Sequence, residues 1–308
     1  MAVGIDIGGT KTHVAVRDPG SESLDLVVLS DSWRRNGLFG DAGNAARLIE
    51  IVLGMGDLDR MEPLAIGAHG CESEQDCVDF AAQVKAVYPG PVSVYNDAEL
   101  LVPAAGHDYG VSVVIGTGSI VVGSSPERRM IVSGGHGWLI GDPGSAPGLT
   151  REAVKKVLTN RDRGGALDAL GTRMLARFGA ADEPGLIHVF NSAIEISHWG
   201  SAAIDVFAAA DEGSALAAEV IDEAARALAE SVRDVVERGA MGHNVVCAGG
   251  VVTNQPRMFE ALRSHVERVI PSSVVELLTV PPAIGALHLA TRARARTPGT
   301  IAASGPAT

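Results

Sequence analysis

The sequence predicts an α/β fold built from two similar halves. Residues 3–16 and 111–125 each contain two apolar runs joined by a turn rich in glycine and hydroxyl residues, a pattern typical of a β-hairpin. Strands and helices follow each hairpin, and their alternation in the first half indicates an α/β unit. Because one architectural opening occurs twice, we interpret the chain as a duplicated domain.

The composition favours a globular protein with a large core. The 308 residues are 46% hydrophobic and 20% charged, with a formal net charge of −12. This acidic balance argues against nucleic acid or an anionic membrane as a partner, because both require a basic face. No apolar run approaches bilayer length without a glycine or polar interruption, so we expect no membrane span.

The cysteines and the first residues indicate a cytoplasmic protein. Cys71, Cys77 and Cys247 are too few for a disulfide framework, and their spacing matches no zinc pattern. A reducing compartment is therefore expected. The chain enters its first predicted strand without a basic segment followed by an apolar one, so we also expect no secretory signal.

Strands and helices alternate after the first hairpin. Apolar residues three and four apart predict the helices, and short apolar runs between turn residues predict the strands. Residues 32–40 are polar and end in glycine, which is too distinctive for a simple connector. The predicted elements are strands at 24–30, 63–69 and 91–95, and helices at 41–53, 74–88 and 98–104.

The second half is predicted to be mostly helical after its hairpin. Residues 145–239 have helical spacing, most clearly at 213–238. The tail at 297–308 is small, polar and rich in glycine and proline, and we expect it to be disordered. The other predicted elements are strands at 129–133, 244–248 and 274–278, and helices at 256–269 and 282–294.

Both hairpin turns have the composition of phosphate-binding loops. Gly8 and Gly9 let backbone amides approach an anion closely, and Asp6 in the preceding strand suggests a cation. An ordinary tight hairpin is the simpler interpretation of this turn alone. The second turn, 116–119, again combines glycine with threonine and serine, and two such loops facing across a cleft would grip a nucleotide. Neither has the spacing of a Walker A or dinucleotide-binding motif.

Two predicted strands end in residues suited to a ligand site. Asp97 directly follows one strand, at the position where open α/β sheets place ligands. It could act as a base or cap the following helix, a role that Asp and Asn fill often. The strand at 244–248 delivers Gly249 and Gly250, so a flat base could lie against exposed backbone there.

Residues 134–147 are predicted to be a binding loop. The segment is dense in glycine and has one carboxylate, Asp142. We expect Trp138 and Leu139 to anchor the loop in the core. His136 could contact a sugar or be a structural histidine, and the loop alone does not decide between these interpretations.

Five motifs in this order give the chain a specific resemblance. They are DIGGTKT, NDA, IGTGS, GGHGWLIGDPGSA and CAGGVVTN. Together they resemble the sugar-kinase, Hsp70 and actin superfamily, and within it the N-acetylglucosamine kinase branch of the BadF/BadG/BcrA/BcrD ATPases. The resemblance implies an actin-like ATPase fold, with two ribonuclease-H-like domains around a central nucleotide cleft. Their expected bounds are 1–105 plus 283–296 for the first domain and 106–282 for the second.

The resemblance also implies the residues that bind ATP and Mg²⁺. Asp6 would hold Mg²⁺ through water. The first turn would bind the β- and γ-phosphates, the second would oppose it, and the third glycine motif would lie near the adenosine. The residues at these matching positions are Gly8, Gly9, Thr10, Lys11 and Thr12, then Gly116, Thr117 and Gly118, then Gly249, Gly250 and Thr253.

The same resemblance implies a base and a set of sugar contacts. Asp97 matches the aspartate that accepts a proton from the sugar hydroxyl. The positions that match sugar contacts are Asn36, Gly37, Gly70, Gly135, His136 and Asp142, together with Asp97. Three positions depart from the common pattern, because relatives usually have tryptophan at His136, an acidic residue at Pro143 and a small hydroxyl residue at His69.

The implied activity is ATP-dependent phosphorylation of the primary hydroxyl of an amino sugar, with N-acetylglucosamine converted to its 6-phosphate. Glucosamine, glucose or another hexose is an alternative substrate, and a homodimer is compatible with the resemblance. An ATPase that activates a reductase is a second hypothesis, but no convincing cysteine pair for an iron–sulfur cluster is visible. A sugar-sensing regulator is a third, and it would require loss of Asp97 or of the first loop.

Overall fold

The computed structural model describes residues 1–17, 24–56, 59–127, 129–192 and 195–296. The tail predicted to be disordered, 297–308, lies outside these residues. The chain forms two compact units, one comprising Met1–Gly106 with the chain from Val280 onward, and the other comprising His107–Thr279.

The strands are β1 (Ala2–Ile7), β2 (Lys11–Arg17), β3 (Leu24–Leu29), β4 (Leu64–Ala68), β5 (Val92–Asn96), β6 (Val111–Ile115), β7 (Ser119–Ser124), β8 (Met130–Gly134), β9 (Asn244–Ala248) and β10 (Val274–Leu277). The helices are α1 (Asn44–Leu53), α2 (Glu74–Lys85), α3 (Leu101–Ala104), α4 (Ala146–Asp162), α5 (Ala169–Phe178), α6 (Glu183–Asn191), α7 (Ile196–Ser201), α8 (Ala203–Asp211), α9 (Ala215–Glu237), α10 (Gly250–Asn254), α11 (Pro256–Val269) and α12 (Ala283–Arg296). Short 3₁₀ helices lie at Ser30–Ser32 and Asp97–Leu100.

In the described part of the first unit, five strands form one mixed sheet in the order β3-β2-β1-β4-β5. The pairs β1–β2 and β2–β3 are antiparallel, whereas the pairs β1–β4 and β4–β5 are parallel. Ile7 pairs with Ala68, which in turn pairs with Asn96. The residues that follow these three strands therefore lie at one edge of the sheet, which positions the candidate site.

Each face of this sheet is covered by helices. Ile5 and Ile7 of β1 are fully buried in one cluster with apolar residues of α1 and α2, including Leu48 and Phe80. A smaller cluster on alternate sheet positions packs against α12, mainly through alanine side chains and Leu287. The last helix of the chain thus completes the core that the first strand begins.

In the described part of the second unit, another five-stranded sheet has the order β10-β9-β6-β7-β8. The hairpin β6–β7 is antiparallel, and β6, β9 and β10 are parallel. Val114 pairs with Ala248, so the turn after β6 and the glycines after β9 lie at the same edge. Helices α4, α9 and α11 supply apolar residues to the large core that they form with this sheet.

The predicted α/β class is confirmed, and several predicted bounds shift for local reasons. The helix expected at 41–53 begins at Asn44, because Asp41 Oδ1 accepts the Gly43 amide at 2.7 Å and forms a turn. The segment expected as one helix at 98–104 begins as a 3₁₀ helix at Asp97. Among the described residues, we find no helix with the length and apolar character needed to span a bilayer.

Gly4 allows α12 to pack directly against β1. A Cβ at Gly4 would lie 2.3 Å from the Leu287 backbone nitrogen and 2.6 Å from the Ala283 carbonyl oxygen. Backbone atoms of a packed helix cannot move aside without displacing the helix. The closure of the first unit therefore depends on the missing side chain at this position.

We predict that Gly4→Ala lowers the free energy of unfolding by about 3 kcal/mol, the upper range for overpacking. Gly54→Ala is the matched control, because its Cβ would approach other atoms only to 3.4 Å and its backbone is helical. Urea unfolding of both variants measures the difference. Equal stability of the two variants would show that α12 does not constrain β1.

Candidate active site

The first hairpin turn is fixed by hydrogen bonds to its carbonyl oxygens and is exposed to solvent on its other side. The Gly8 amide donates to the Lys11 carbonyl oxygen at 2.9 Å, and the Ser30 hydroxyl donates to the Gly8 carbonyl oxygen at 2.9 Å. The Ser30 amide donates to the Thr10 carbonyl oxygen, also at 2.9 Å. Gly9, Thr10 and Lys11 are exposed. The turn is thus fixed through its carbonyls, and its exposed residues can meet a ligand.

Thr12 differs from the other residues of this predicted loop. Its side chain is fully buried, with Oγ1 3.0 Å from Ser30 Oγ and accepting a hydrogen bond from Trp33 Nε1 at 3.0 Å. The sequence places Thr12 among the phosphate-binding residues, but its hydroxyl is used inside the protein. Its side chain anchors the turn instead of facing a ligand.

Two carboxylates act on each other at the edge of the first sheet. Asp6 is half-buried near the end of β1. Burial, and to a lesser extent repulsion by Asp97, together raise the pKa of Asp6 to about 7. Desolvation and a like charge both disfavour an ionised carboxyl group. This edge of the sheet therefore favours a cation or a proton.

Asn96, and not Asp97, caps the short helix that follows β5. Its Oδ1 accepts the Ala98 amide at 2.9 Å, its Nδ2 donates to the Cys71 carbonyl oxygen at 3.0 Å, and Glu99 completes a capping box by accepting the Asn96 amide. Asp97 Oδ1 also accepts from the Ala98 amide, at 3.1 Å. This contact orients the Asp97 carboxyl group and leaves Oδ2 to other partners.

The environment of Asp97 perturbs its titration. Burial raises the pKa of Asp97, while the positive charge of His69 and the Ala98 amide act in the opposite direction. A carboxylate in a partly desolvated position is a better proton acceptor than one in bulk water. Asp97 is therefore suited to the role of a general base.

His69 belongs to this site, although it was not among the predicted site residues. Its amide donates to the Ile7 carbonyl oxygen at 2.8 Å, and its imidazole Nδ1 lies 3.8 Å from Asp97 Oδ2. A Cβ at Gly9 would lie 3.8 Å from His69 Cδ2. The signal that could have identified it is its position, because it follows β4 just as Asp97 follows β5.

Asn44 organises residues 34–38, which contain the predicted sugar contacts Asn36 and Gly37 and are called the sugar loop below. The buried Asn44 Nδ2 donates to the carbonyl oxygens of Gly37 and Leu38 at 2.9 and 3.1 Å. Asn36 and Gly37 are exposed, with φ of 53° and 76°. Asn and Gly are the residues that adopt this left-handed conformation most readily. The loop therefore presents Asn36 in a fixed orientation.

This loop contacts the other predicted residues of the first unit. Arg34 donates from Nη2 to the Gly9 carbonyl oxygen at 2.7 Å, which ties the loop to the first turn. Gly70 has φ of 101°, and a Cβ there would lie 3.5 Å from Leu38 Cβ. The structure thus brings the first turn, the sugar loop and the residues after β4 into one region of this unit.

The second unit brings its own glycine motifs together. A Cβ at Gly116 would lie 3.5 Å from the Gly250 amide nitrogen. Gly249 has φ of 111°, and a Cβ there would lie 2.4 Å from the Ile115 carbonyl oxygen, so a larger residue cannot be accommodated. Thr117, Gly250 and Thr253 are exposed. The turn after β6 and the glycines after β9 form one surface of exposed backbone.

Asp142 lies against the second turn. Its side chain is buried, Oδ1 accepts the Gly137 amide at 3.1 Å, and Oδ2 lies 3.1 Å from the position of a Cβ at Gly118. Its φ of 52° is unusual for a residue other than glycine. The surrounding loop thus holds this carboxylate beside the backbone of the predicted phosphate loop.

The rest of the loop that contains Asp142 is more exposed than predicted. Gly135 and His136 face solvent. Trp138 packs on Trp199 with ring centroids 4.9 Å apart, as expected of an anchor. Leu139 is 69% exposed, so the prediction that it anchors the loop in the core is wrong. The aromatic contact of Trp138 and backbone hydrogen bonds, such as that from the Gly141 amide to the Gly137 carbonyl oxygen at 2.8 Å, hold this part of the loop.

The two similar sheets with their glycine turns can be compared with the folds and families of known proteins. The α/β architecture, with glycine turns at the edges of two similar sheets, is that of the sugar kinases with an actin-like ATPase fold, as the sequence predicts. The chain belongs to the BadF/BadG/BcrA/BcrD ATPase family, whose model matches residues 3–290. The resemblance found in the five motifs is therefore confirmed.

Relatives and a solved structure cover almost the whole chain. An N-acetylmuramic acid/N-acetylglucosamine kinase of Clostridium acetobutylicum is 28% identical over 303 residues, which are 94% of this chain and 97% of the relative. An N-acetyl-D-glucosamine kinase of Dictyostelium discoideum is 26% identical over 310 residues, with the same coverage of 94% and 97%. The structure of a provisionally named N-acetylglucosamine kinase from Porphyromonas gingivalis is 16% identical, with a TM-score of 0.64 over 95% of this chain and 100% of that one; it shows a shared fold.

Glu99 gives a prediction about stability that is independent of catalysis. Burial raises its pKa to about 7, so between pH 4.5 and 7 the folded protein holds a proton that the unfolded chain releases. Stability therefore falls as pH rises through this range. Glu99→Gln keeps an acceptor for the Asn96 amide without the charge, and we expect it to be more stable than the wild type at pH 8 by on the order of 1–2 kcal/mol.

Thermal unfolding at pH 5 and pH 8 measures this effect, and the two proteins should differ little at pH 5. Glu50→Gln makes the same chemical change at an exposed position of α1 and should leave stability unchanged at both values. A Glu99→Gln variant that is no more stable than the wild type at pH 8 would contradict the desolvation of Glu99.

Proposed function

We propose that this protein is an ATP-dependent kinase that phosphorylates the primary hydroxyl of an amino sugar, with N-acetylglucosamine as the first candidate. The observation that carries the proposal is the position of Asp97 and the Gly8–Thr10 turn at one edge of the first sheet. A kinase requires a phosphate-binding turn close to a base. The family is one of ATPases, and the names of the two relatives support an amino sugar as the acceptor.

In this proposal the exposed backbone of the glycine turns binds ATP. Gly8, Gly9, Thr10 and Lys11 bind the β- and γ-phosphates, because exposed amides with glycine flexibility accommodate anions closely. Gly116, Thr117 and Gly118 form the other phosphate loop, with Asp142 supporting it from behind. Gly249, Gly250 and Thr253 contact the adenosine.

The residues around Asp6 fit a magnesium ion that is held partly by the nucleotide. Mg²⁺ prefers oxygen ligands and usually keeps several waters, and the Asp6 carboxylate is placed where a cation offsets its repulsion with Asp97. Among the described residues, no group of three or more His, Cys, Asp or Glu side chains could hold a metal by itself. When bound with ATP, Mg²⁺ neutralises phosphate charge.

Asp97 acts as the general base in this mechanism. As the sugar hydroxyl oxygen approaches the γ-phosphorus, its proton passes to the Asp97 carboxylate, and the bond from the γ-phosphorus to the ADP oxygen breaks. The Ala98 amide fixes the Asp97 carboxyl group through Oδ1. Because the side chain is already oriented, proton transfer does not require a change of rotamer.

The proposed sugar contacts are residues in or near the candidate loops. Asn36, Gly37 and Gly70 lie in the region of Asp97 in the first unit, and Gly135 and His136 are exposed in the second. The histidine in place of the common tryptophan changes the wall of the sugar site. We also expect sugar to stimulate ATP turnover, because sugar kinases limit hydrolysis in the absence of acceptor by excluding water.

We further propose a cytoplasmic location and a homodimer. Size-exclusion chromatography with light scattering measures the molar mass in solution and is the direct test of the homodimer. Cys71 and Cys247 are buried in the cores of their units. Buried thiols are poorly placed to share an iron–sulfur cluster between subunits, so the reductase-activating ATPase is disfavoured.

A coupled ADP-release screen tests the function. The acceptors are N-acetylglucosamine, glucosamine, glucose and N-acetylmuramic acid derivatives, each with MgATP. We expect ADP release and a sugar 6-phosphate with at least one amino sugar. Activity on none of them would overturn the sugar-kinase proposal and favour the ATPase.

Replacing the base tests the role of Asp97. Asp97→Asn should lower kcat roughly 10²–10⁴-fold, because the amide cannot accept the proton, while the affinity for ATP stays nearly unchanged. Asp79→Asn, on the exposed face of α2, is the matched control and should retain full activity. Near-normal turnover by Asp97→Asn would exclude Asp97 as the base.

A further inference from the structure

The His69 imidazole lies between the proposed base and the proposed phosphate loop. Its Nδ1 is 3.8 Å from Asp97 Oδ2, and its Cδ2 and Nε2 are 3.8 and 4.0 Å from the position of a Cβ at Gly9. One edge of the ring therefore faces the carboxylate, and the other faces the turn.

His69 has no evident part in holding the fold. Its side chain is 58% exposed, and among the described residues the distance to Asp97 is its shortest polar contact, too long for a hydrogen bond. Only its backbone amide joins the sheet, through Ile7. An exposed ring held at a fixed backbone position, with polar atoms directed at two functional groups, is available to a ligand.

The chemistry of the ring matches these two neighbours. An imidazolium donates from both nitrogens, and here one nitrogen faces a carboxylate while the other faces the turn proposed to hold the γ-phosphate. The carboxylate that faces the ring is itself near other acidic groups, because Glu72 raises the pKa of Asp97 and Asp97 raises that of Asp6. With phosphate bound, acceptors lie on both sides of the ring, one facing each nitrogen.

We propose that His69 is a catalytic residue that donates from Nε2 to the transferring phosphoryl group while Nδ1 orients the Asp97 carboxylate. The inference rests on the proposed kinase function. The hydroxyl proton still goes to Asp97, the new bond joins the sugar oxygen to phosphorus, and the electron pair of the broken bond stays on ADP. His69 neither gains nor loses a proton in this step, and its charge stabilises the phosphoryl oxygens in the transition state.

Removing the ring should affect kcat and not substrate affinity. We expect His69→Ala to lower kcat about 10²-fold, the lower range for loss of one transition-state donor, with KM for ATP and sugar changed less than about threefold. His188→Ala, an exposed histidine of α6, is the matched control and should be fully active. A rise in the sugar KM with unchanged kcat would show a simple substrate contact and overturn the proposal.

Two amide variants distinguish the contribution of Nδ1 from that of Nε2. The amide nitrogen of His69→Asn can occupy the place of Nδ1, and that of His69→Gln can reach the place of Nε2. We expect His69→Gln to recover about tenfold of the lost kcat and His69→Asn to stay near His69→Ala. The reverse order would show that His69 acts on Asp97 alone, and the phosphoryl contact would be excluded.

Added imidazole provides a readout that a structural role would not affect. Because the vacated site is open to solvent, imidazole should restore part of the kcat of His69→Ala in a saturable manner and leave His188→Ala unchanged. Absence of rescue in a folded, sugar-binding His69→Ala protein would count against the proposal. An active wild type with a fully active His69→Ala variant would overturn the His69 assignment alone, whereas an inactive wild type on every sugar would overturn the kinase function.

Discussion

The partial desolvation of Asp6 and Asp97 is the constraint on which the site of the first unit depends. Asp6 near the end of β1 and Asp97 directly after β5 lie on either side of β4 at one edge of the sheet. Placing two partly desolvated carboxyl groups there is unfavourable for folding, and no described side chain cancels both charges. Such an arrangement is typical of sites where a substrate or a cation supplies the missing charge. His69 adds a partial offset, and the turn at Gly8 and Gly9 provides the amides that an anion with its cation would need.

The structure keeps these groups in place with polar residues whose side chains form hydrogen bonds inside the protein. Ser30 and Thr12 hold the first turn, Asn44 holds the sugar loop, and Asn96 with Glu99 caps the segment that contains Asp97. In the second unit, Asp142 has the corresponding position behind the Gly116–Gly118 turn. Each unit thus builds its exposed backbone on an internal hydrogen-bond network, which reduces the rearrangement needed when a ligand binds.

The sequence predicted those features that depend on local pattern. Alternating apolar residues around glycine turns predict both hairpins, which the structure contains, and the end of a strand makes Asp97 a candidate site residue. The burial of Thr12 and the exposure of Leu139 do not follow from local pattern, because burial is a tertiary property. Trp33, 21 residues away, donates to Thr12, whereas Leu139 is exposed. His69 was noticed only as an unusual residue, since its distance to Asp97 follows from the pairing of β4 with β5 and not from sequence spacing.

Hydrogen–deuterium exchange with a non-hydrolysable ATP analogue and Mg²⁺ tests most directly whether these separate motifs bind one nucleotide. The account predicts slower amide exchange at residues 8–12, 116–118 and 249–253 on addition of the nucleotide, and further slowing at 35–37 and 69–70 when the sugar is added. Protection confined to one of the three glycine segments, or absent from residues 8–12, would contradict it.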